Sequence, residues 1–451
     1  MNDIIVAIST ALGKGAISIV RLSGKGCVEL VNTCFKGKNL TSVASHTINY
    51  GYIVDGGKVI DEVLVSIMKA PKTYTVEDVV EINCHGGIAS TNKILEVMIL
   101  NGARLAEPGE FTKRAFLNGR IDLVEAEAVM DLINSKTEKS RAISVNQLEG
   151  KLTGLIRKFR QELLELLANV EVNIDYPEYE DIEVVTIDKI KSKVKDMKKN
   201  LNEIISESES RKIIKEGINI AIVGKPNVGK SSILNRLLGE NKAIVTDIAG
   251  TTRDIVEGSI SLNGVALNFI DTAGIRETSD LVEKFGVERS FSEIKRADLV
   301  ILVLNNNEEL SIEDKSLIDK ILCKKYIVVV NKRDLEKKLS LDGLDLKNII
   351  YTDTLSVDGI ASLKDKIIEL FNLEEIEQND CEIFTNARQI TLAKESLTIM
   401  DDVENGITLN VPVDMIAIDI KRIWTKLGEI LGENYSEELI DQLFSQFCLG
   451  K

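Results

Sequence analysis

The chain has 451 residues, which is too long for one ordinary core and predicts two or three domains. Its formal net charge of −15 argues against a broadly basic nucleic-acid surface, although a local basic groove stays open. Six scattered cysteines without a CxxC pair indicate reduced cytosolic thiols. No apolar run reaches the ~18 residues of a membrane helix, and the N-terminus lacks the basic region of a signal peptide. We therefore expect a cytoplasmic protein without a membrane partner.

The first 118 residues predict a domain of mixed strands and helices. β-branched and apolar runs indicate strands at residues 16–22, 59–68 and 79–82. Apolar residues at helical spacing indicate a helix over 90–101.

Helical spacing dominates residues 119–214 and the chain after 375. Apolar residues recur at threes and fours from 148 to 170, which predicts a long amphipathic helix. A second helix is predicted over 187–205, and its lysine-rich face is most simply a solvated surface. We interpret residues 215–374 as a domain inserted between two helical halves that pack together.

Residues 215–374 alternate strands and helices, as an α/β domain does. Short continuous apolar runs, typical of buried parallel strands, occur at residues 218–223, 267–270, 299–304 and 326–330. The first run leads into Gly224–Ser231, which fits the pattern GxxxxGK[ST] between a strand and a helix. Backbone N–H groups of such a loop bind phosphates. We expect Lys230 to neutralise the β- and γ-phosphates and Ser231 to ligate Mg²⁺.

Three further motifs follow in order. Gly250–Asp254 (GTTRD) can place a threonine on Mg²⁺ in a switch loop, and Asp271–Gly274 (DTAG) can hold the metal's water shell and sense the γ-phosphate. Asn331–Asp334 (NKRD) ends another strand, and its carboxylate can accept from N1–H and the 2-amino group of guanine. Adenine offers no such donor pair. Together the motifs, at the carboxyl ends of strands, predict a Ras-like P-loop domain that hydrolyses GTP.

Two positions depart from the usual pattern. Asp353–Leu355 stands where many such proteins have Ser-Ala-Lys, which predicts a loosened base contact. Ile275 follows the DTAG glycine, where a glutamine usually orients the attacking water. Hydrolysis therefore needs another device. A monovalent cation that bridges the phosphates would supply the positive charge; the side-chain oxygen of Asn227 and switch-loop carbonyls can hold it, and a carboxylate from residues 276–288 can polarise the water.

The chain ends in Cys448-Leu449-Gly450-Lys451. This Cys-x-Gly-Lys terminus resembles the MnmE (TrmE) family of tRNA modification GTPases. The resemblance covers essentially the whole chain, through GKPNVGKSS, TDIAGTTRD, DTAGIRE, NKRD, VRLSG at 20–24 and PGEFTKRAFLNGRIDLVEAEAVMDLI at 108–133.

The resemblance implies a multidomain α/β fold. It places an N-terminal α+β folate-binding domain of the GcvT-like fold, which also dimerises the protein, at residues 1–118. A discontinuous central helical domain would comprise residues 119–214 and 375–451. The inserted G domain would comprise residues 215–374.

The resemblance also implies a chemistry and a set of partners. The family's GTPase is activated by K⁺ and dimerises through its G domains. It works as a heterotetramer with MnmG, and FAD belongs to that partner alone. Together they modify the wobble uridine, position 34, of certain tRNAs. A 5-formyl- or methylene-tetrahydrofolate supplies the carbon, and the product is 5-carboxymethylaminomethyluridine or aminomethyluridine.

Carried over residue by residue, the resemblance implies functional sites. Glu283 takes the position of the catalytic carboxylate, and Cys448 matches the family's terminal cysteine. Potassium would be held by Asn227, Thr246, Ile248 and Thr251, and Mg²⁺ by Ser231 and Thr252. Folate would contact Arg21, Glu81, Arg120 and Lys451. The family often has lysine where Arg120 stands, and a planar guanidinium is not equivalent to a point charge.

The GTP site implied by the motifs and the resemblance is larger. Its residues are Asn227, Val228, Gly229, Lys230, Ser231, Ser232, Thr246, Asp247, Ile248, Ala249, Gly250, Thr251, Thr252, Asp271, Thr272, Ala273, Gly274, Asn331, Lys332, Arg333, Asp334, Asp353, Thr354 and Leu355.

Simpler roles stay open for several of these positions. Arg21 could flank a strand, Glu81 could face water, and Cys448 could be a small residue at a helix end. We interpret His85 as structural, with a helix beginning after Gly87, because a His–Cys neighbour pair lacks the ligand count of a metal site. For the whole chain, the alternative is a regulatory GTPase switch in ribosome assembly that uses nucleotide only to bind partners.

Overall fold

The computed structural model describes residues 3–175, 180–240, 256–270, 292–353, 358–374 and 382–450. Two compact units make up the chain. The first comprises residues 1–133, 146–202 and 386–451, and the second comprises residues 134–145 and 203–385. This division follows contacts and does not test the four domain boundaries predicted from the sequence, which stay a prediction.

A seven-stranded sheet lies in the first unit. Its strands are β1 Ile5–Ile8, β2 Ile17–Ser23, β3 Phe35–Gly37, β4 Thr47–Asp55, β5 Lys58–Met68, β6 Val79–His85 and β7 Arg104–Leu105. Their spatial order is β3-β4-β5-β6-β2-β1-β7. All neighbours are antiparallel except β1 and β7. The three strands predicted in this region are confirmed.

The helices with bounds at both ends are, in chain order, α1 Cys27–Cys34, α2 Ile88–Leu100, α3 Glu110–Leu117, α4 Leu123–Asn134, α5 Glu138–Leu148, α6 Lys151–Asp175, α7 Glu180–Glu216, α8 Lys230–Glu240, α9 Ile312–Ile321, α10 Asp358–Phe371, α11 Ala387–Thr408, α12 Val413–Ile430 and α13 Glu437–Phe444. Residues 292–296 are also helical. Helix α2 follows Gly87, as predicted. Helix α7 is longer than the predicted 187–205. None of the described helices combines the length and apolar character that crossing a bilayer requires.

The first sheet packs on α1 and α2 through one of its faces. The core there includes Val20, Val31, Ile82 and Ile94. A small apolar cluster of Ile5, Ala7, Ala106 and Phe111 lies elsewhere in this unit, with Tyr74 packed against it.

The helical segments before and after the predicted insertion pack together in the first unit. Helix α6 contacts α12, and α11 contacts α12. Arg160 on α6 lies 4.1 Å over the ring of Trp424, and its Nη1 donates to Glu433 at 2.5 Å. The predicted packing of the two helical halves is therefore confirmed at these contacts.

A six-stranded sheet forms the core of the second unit. Its strands are β8 Ile218–Val223, β9 Val256–Leu262, β10 Val265–Ile270, β11 Leu299–Asn305, β12 Lys325–Asn331 and β13 Ile349–Tyr351, in the order β13-β12-β11-β8-β10-β9. Neighbouring strands are parallel except β9, which is antiparallel to β10. The four predicted strands are present. Strand β8 lies where the strand order reverses, and ligands of open α/β sheets bind at the carboxyl edge there.

Candidate functional site

The loop after β8 has the backbone that a phosphate-binding loop needs. Gly224 has φ +146°, and a Cβ there would lie 2.4 Å from the carbonyl oxygen of Val303. Gly229 has φ +105°, and its Cβ would lie 2.1 Å from Nδ2 of Asn331. Only glycine fits these two positions, because a side chain would be both strained and displaced. The loop then runs directly into α8, whose first N–H groups favour an anion.

Lys230 begins α8 and lies over the loop. Its Nζ donates to the carbonyl oxygens of Gly224 and Lys225, both at 2.7 Å. Burial lowers the pKa of Lys230, although Glu293 opposes this effect. The partly buried Lys230 ammonium donates here to two neutral carbonyl oxygens, so an anionic phosphate group would bind it more strongly than they do. Ser231 follows in the first turn of α8, where a Mg²⁺ ligand is expected.

The guanine-recognition motif is tied to the same loop. Asn331 is the last residue of β12 and is buried. Its Nδ2 donates to the carbonyl oxygen of Val228 at 2.8 Å. Asp334 follows on an exposed turn, beyond Lys332, which has φ 60°. The structure therefore brings the phosphate loop and the base-recognition segment together.

The second base-contact segment reaches the same edge of the sheet. Thr352 follows β13, and its N–H donates to the carbonyl oxygen of Val330 at 2.8 Å. The N–H of Arg333 donates to the carbonyl oxygen of Thr352 at 3.3 Å. Asp353 is therefore placed beside the NKRD turn. Its predicted neighbours Thr354 and Leu355 lie outside the described residues.

Much of the predicted switch and catalytic machinery lies outside the described residues. This applies to Ile275, to the catalytic candidate Glu283 and to Thr246, Asp247, Ile248, Ala249, Gly250, Thr251, Thr252, Asp271, Thr272, Ala273 and Gly274. Of the predicted metal ligands, Asn227 and Ser231 are described. Asn227 is exposed in the loop at φ 61°. Among the described residues, no group of three His, Cys, Asp or Glu side chains could hold a metal.

In the first unit, two positions of the predicted folate site, Arg21 and Glu81, come together with the C-terminal segment. Arg21 on β2 and Glu81 on β6 are cross-strand partners. The Arg21 Nε donates to Glu81 Oε1 at 2.9 Å, and its Nη1 donates to the carbonyl oxygen of Gly450 at 3.2 Å. Arg21 therefore links the sheet to the C-terminal Cys-x-Gly-Lys segment. Because Glu81 forms this ion pair, it is not a carboxylate that only faces water.

The C-terminal segment is fitted closely against β1. Gly450 has φ +84°, and a Cβ there would lie 2.4 Å from the carbonyl oxygen of Ile8. Ser9 Oγ donates to the Gly450 carbonyl oxygen at 3.0 Å. The carbonyl oxygen of Cys448 accepts from the N–H of Gly109 at 3.1 Å. The half-buried Cys448 follows α13 and lies at the N-terminus of α3. Lys451 lies outside the described residues.

Arg120 lies beside an aromatic pair that sequence reasoning missed. Its Nη1 donates to the carbonyl oxygen of Tyr74 at 2.8 Å, and its guanidinium carbon lies 4.8 Å over the Tyr74 ring. Tyr74 packs against the cluster that contains Phe111, and Arg21 lies 5.7 Å over the Phe111 ring. Arg120 and Arg21 therefore border the same cluster. No sequence pattern identifies Tyr74 or Phe111, because their role depends on packing between distant segments.

A cleft of about 340 Å³ opens beside Arg120. Phe116, Ile121 and Leu431 contribute apolar surface. The charged residues that line the cleft have both signs: Arg120, Arg157, Asp122, Glu125 and Glu433.

His85 is held by a carboxylate rather than by a metal set. Its Nδ1 lies 2.7 Å from Asp61 Oδ1, and its backbone N–H donates to Asp61 Oδ2 at 2.9 Å. The hydrogen bond and the charge of Asp61 raise the pKa of His85. This pairing agrees with the structural interpretation of His85.

Comparisons with known proteins agree along the whole chain. The family model for the TrmE N-terminus, described as a GTP-binding protein, matches residues 4–120, and the model for the MnmE helical domain matches residues 123–448. The tRNA modification GTPase MnmE of Ligilactobacillus salivarius (strain UCC118) is 54% identical, over 100% of this chain and 98% of the relative. The protein of the same name from Bacillus subtilis (strain 168) is 52% identical over 100% of both.

A solved structure also overlaps the chain in part. Era in complex with MgGDPNP and nucleotides 1506–1542 of 16S ribosomal RNA is 25% identical, with a TM-score of 0.25, over 40% of this chain and 66% of that one. Identity therefore rests on the family models and the full-length relatives. The chain belongs to the MnmE (TrmE) family of tRNA modification GTPases, and it is a GTP hydrolase that acts in tRNA modification.

Proposed function

We propose that the chain is a potassium-activated GTPase that, with FAD-dependent MnmG, modifies the wobble uridine of certain tRNAs in the cytoplasm. The product would be 5-carboxymethylaminomethyluridine or aminomethyluridine, with 5-formyl- or methylene-tetrahydrofolate as the one-carbon donor. The observation that carries this proposal is the junction of Arg21, Glu81 and Gly450. A GTPase that only switches between partners has no use for such a junction between its first sheet and its last residues.

The chemistry of that junction suits a reduced folate. The pteridine ring presents an N–H beside an amino group, and a carboxylate such as Glu81 can accept from both. The glutamate tail of folate is anionic and suits an arginine, since guanidinium groups bind carboxylates through two parallel hydrogen bonds. Arg120, whose guanidinium lies over the Tyr74 ring, is the candidate for that contact. Lys451 is proposed to complete the site.

The cation proposal rests on the exposed side chain of Asn227 and on Ile275. Asn227 would hold K⁺ together with Thr246, Ile248 and Thr251, while Ser231 and Thr252 would ligate Mg²⁺. Bound K⁺ would supply positive charge at the phosphates. Glu283 would orient the water that Ile275 cannot orient.

A second copy of the chain is proposed to cover the open face of the first sheet. Ile17, Ile48, Tyr50 and Leu64 are exposed, and they share one face because Tyr50 pairs with Leu64, Leu64 with Asn83, and Ile17 with His85. An exposed apolar face of this kind marks an interface. Leu64→Asp should convert a dimer to monomers in sedimentation velocity. Leu100→Asp, at another exposed leucine, should not, and equal dimer fractions in the two variants would reject this face.

The modification itself is tested by nucleoside analysis of tRNA from cells that lack the protein. We expect the modified wobble uridine to disappear and to return when the wild-type chain is restored. Normal wobble uridine in the deleted cells would reject the modification role. It would favour a regulatory GTPase switch in ribosome assembly.

A further inference from the structure

Lys225 is the second residue of the phosphate-binding loop, a position at which the motif GxxxxGK[ST] accepts any residue. Its side chain is nevertheless firmly placed. The Nζ lies 3.0 Å from Asp314 Oδ2 and 3.3 Å from Glu308 Oε2. The Lys225 side chain is 20% exposed and that of Asp314 only 4%. These two carboxylate contacts indicate that the Lys225 side chain has a structural role and is not only a solvated surface charge.

Asp314 depends on that lysine. It lies in the first turn of α9, where its Oδ2 accepts from the N–H and the Oγ of Ser311 at 2.9 and 2.7 Å. Its other oxygen, Oδ1, is buried and has no hydrogen-bond partner among the residues that the structure describes. A buried carboxylate is costly unless a cation compensates it. Burial works against the charge on Lys225, but the hydrogen bonds and charges of Asp314 and Glu308 raise its pKa.

The backbone of Lys225 serves the nucleotide site directly. Its carbonyl oxygen accepts from Nζ of Lys230, the lysine expected at the phosphates. The preceding residue, Gly224, accepts from the same Nζ and lies close against Val303 of β11. Residue 225 is thus held by α9 through its side chain and by Lys230 through its carbonyl oxygen.

We propose that Lys225 is a positioning residue for the nucleotide, which braces the first half of the phosphate-binding loop against the N-terminus of α9. The brace holds the loop's backbone in the conformation whose N–H groups receive the phosphates. Without it, the loop must be ordered at the moment of binding, and that ordering lowers affinity. The inference rests on the GTP site alone, so failure of the folate, potassium or tRNA proposals would leave it unaffected.

The test measures GDP release from the full-length protein with a fluorescent GDP analogue, together with steady-state GTPase kinetics. Lys225→Met should raise the dissociation rate about tenfold, which corresponds to one decade in affinity. The KM for GTP should rise, while kcat changes by less than about twofold, because the lost contact acts on binding and not on the chemical step.

Lys366→Met is the matched control. Lys366 on α10 pairs with Glu369 at 2.8 Å and is 24% exposed. This variant therefore loses one ion pair from a lysine of similar exposure in the same unit, whereas Lys225→Met loses two. Its GDP release should equal that of the wild type. Lys225→Arg should restore GDP release to within about threefold, because a guanidinium still reaches a carboxylate.

Asp314→Asn removes the negative charge that Lys225 compensates and keeps a side-chain oxygen that can accept from Ser311. It should speed GDP release as Lys225→Met does, and the double variant should be no worse than the poorer single variant, because coupled residues are not additive. If GDP release in Lys225→Met or Asp314→Asn matches that of Lys366→Met, or if the two effects multiply, the brace is rejected. If Lys225→Met fails to fold, Asp314→Asn and Lys225→Arg decide the question by the same measurement.

Discussion

Replacing Gly450 with alanine should release the C-terminal segment from the first sheet and weaken folate binding. The new Cβ would stand 2.4 Å from the carbonyl oxygen of Ile8, a backbone atom that cannot turn away. Alanine at φ +84° would cost about 1–2 kcal/mol before that collision is counted. The chain can avoid both penalties only by moving away from β1.

The cost of moving away is comparable. The docked segment is held by three hydrogen bonds, from Ser9 and Arg21 to the Gly450 carbonyl oxygen and from Gly109 to that of Cys448. At about 0.5–1.5 kcal/mol each, they contribute roughly 1.5–4.5 kcal/mol. Strain and collision offset most of this, so we expect Gly450→Ala to leave the segment undocked in a large share of molecules.

The assay is equilibrium binding of 5-formyltetrahydrofolate to the full-length protein, with thermal unfolding measured in parallel. Gly450→Ala should weaken binding about tenfold with little change in the unfolding temperature. Gly57→Ala is the control, since Gly57 has φ +83° but nothing within 4 Å of its Cβ position. Equal folate affinity in the two variants would refute the reasoning that a docked C-terminal segment forms the site.

Three further outcomes are expected. The GTPase rate should be high in KCl and fall in NaCl at equal ionic strength; equal rates would contradict the cation proposal. Glu283→Ala should keep GTP affinity and lose turnover by about 10²–10⁴-fold, as for a lost general base. If turnover survives, a residue other than Glu283 orients the attacking water. The pKa of His85 should lie above its ordinary value, because Asp61 favours the charged ring. The stabilisation of the folded protein by this pair is present at low pH and is lost as pH rises through the folded-state pKa of His85. An NMR titration in which Asp61→Asn leaves the His85 midpoint unchanged would show that Asp61 is not the cause.

The nucleotide unit was largely predictable because its signals are local. The buried strands β8, β10, β11 and β12 read as continuous apolar runs, and each motif is contiguous. Strand β9 was missed although a signal existed. Asn263-Gly264, with φ 49° and +79°, joins β9 to β10, and Asn-Gly is a strong hairpin signal. The polar residues of this edge strand interrupt the continuous apolar run by which the other strands were predicted.

The packing of residues 134–145 could not be predicted. They read as part of a helical region, yet they belong to the nucleotide unit. Lys136 Nζ donates to Asn268 Oδ1 on β10 at 2.9 Å, and burial lowers the pKa of Lys136. Ile143 packs against the core of the six-stranded sheet. Amphipathic spacing shows that a helix has an apolar face, but not which core receives that face.

The sequence by itself determined the phosphate loop, the guanine motif and the helical character of the chain around the insertion. These features are encoded within a few consecutive residues or in a regular spacing, which backbone geometry converts directly into structure. Only the tertiary structure decided that Arg21 meets both Glu81 and Gly450, and that Lys225 reaches Asp314. Such contacts join residues distant in the chain, and their partners are selected by packing and charge compensation rather than by any local pattern.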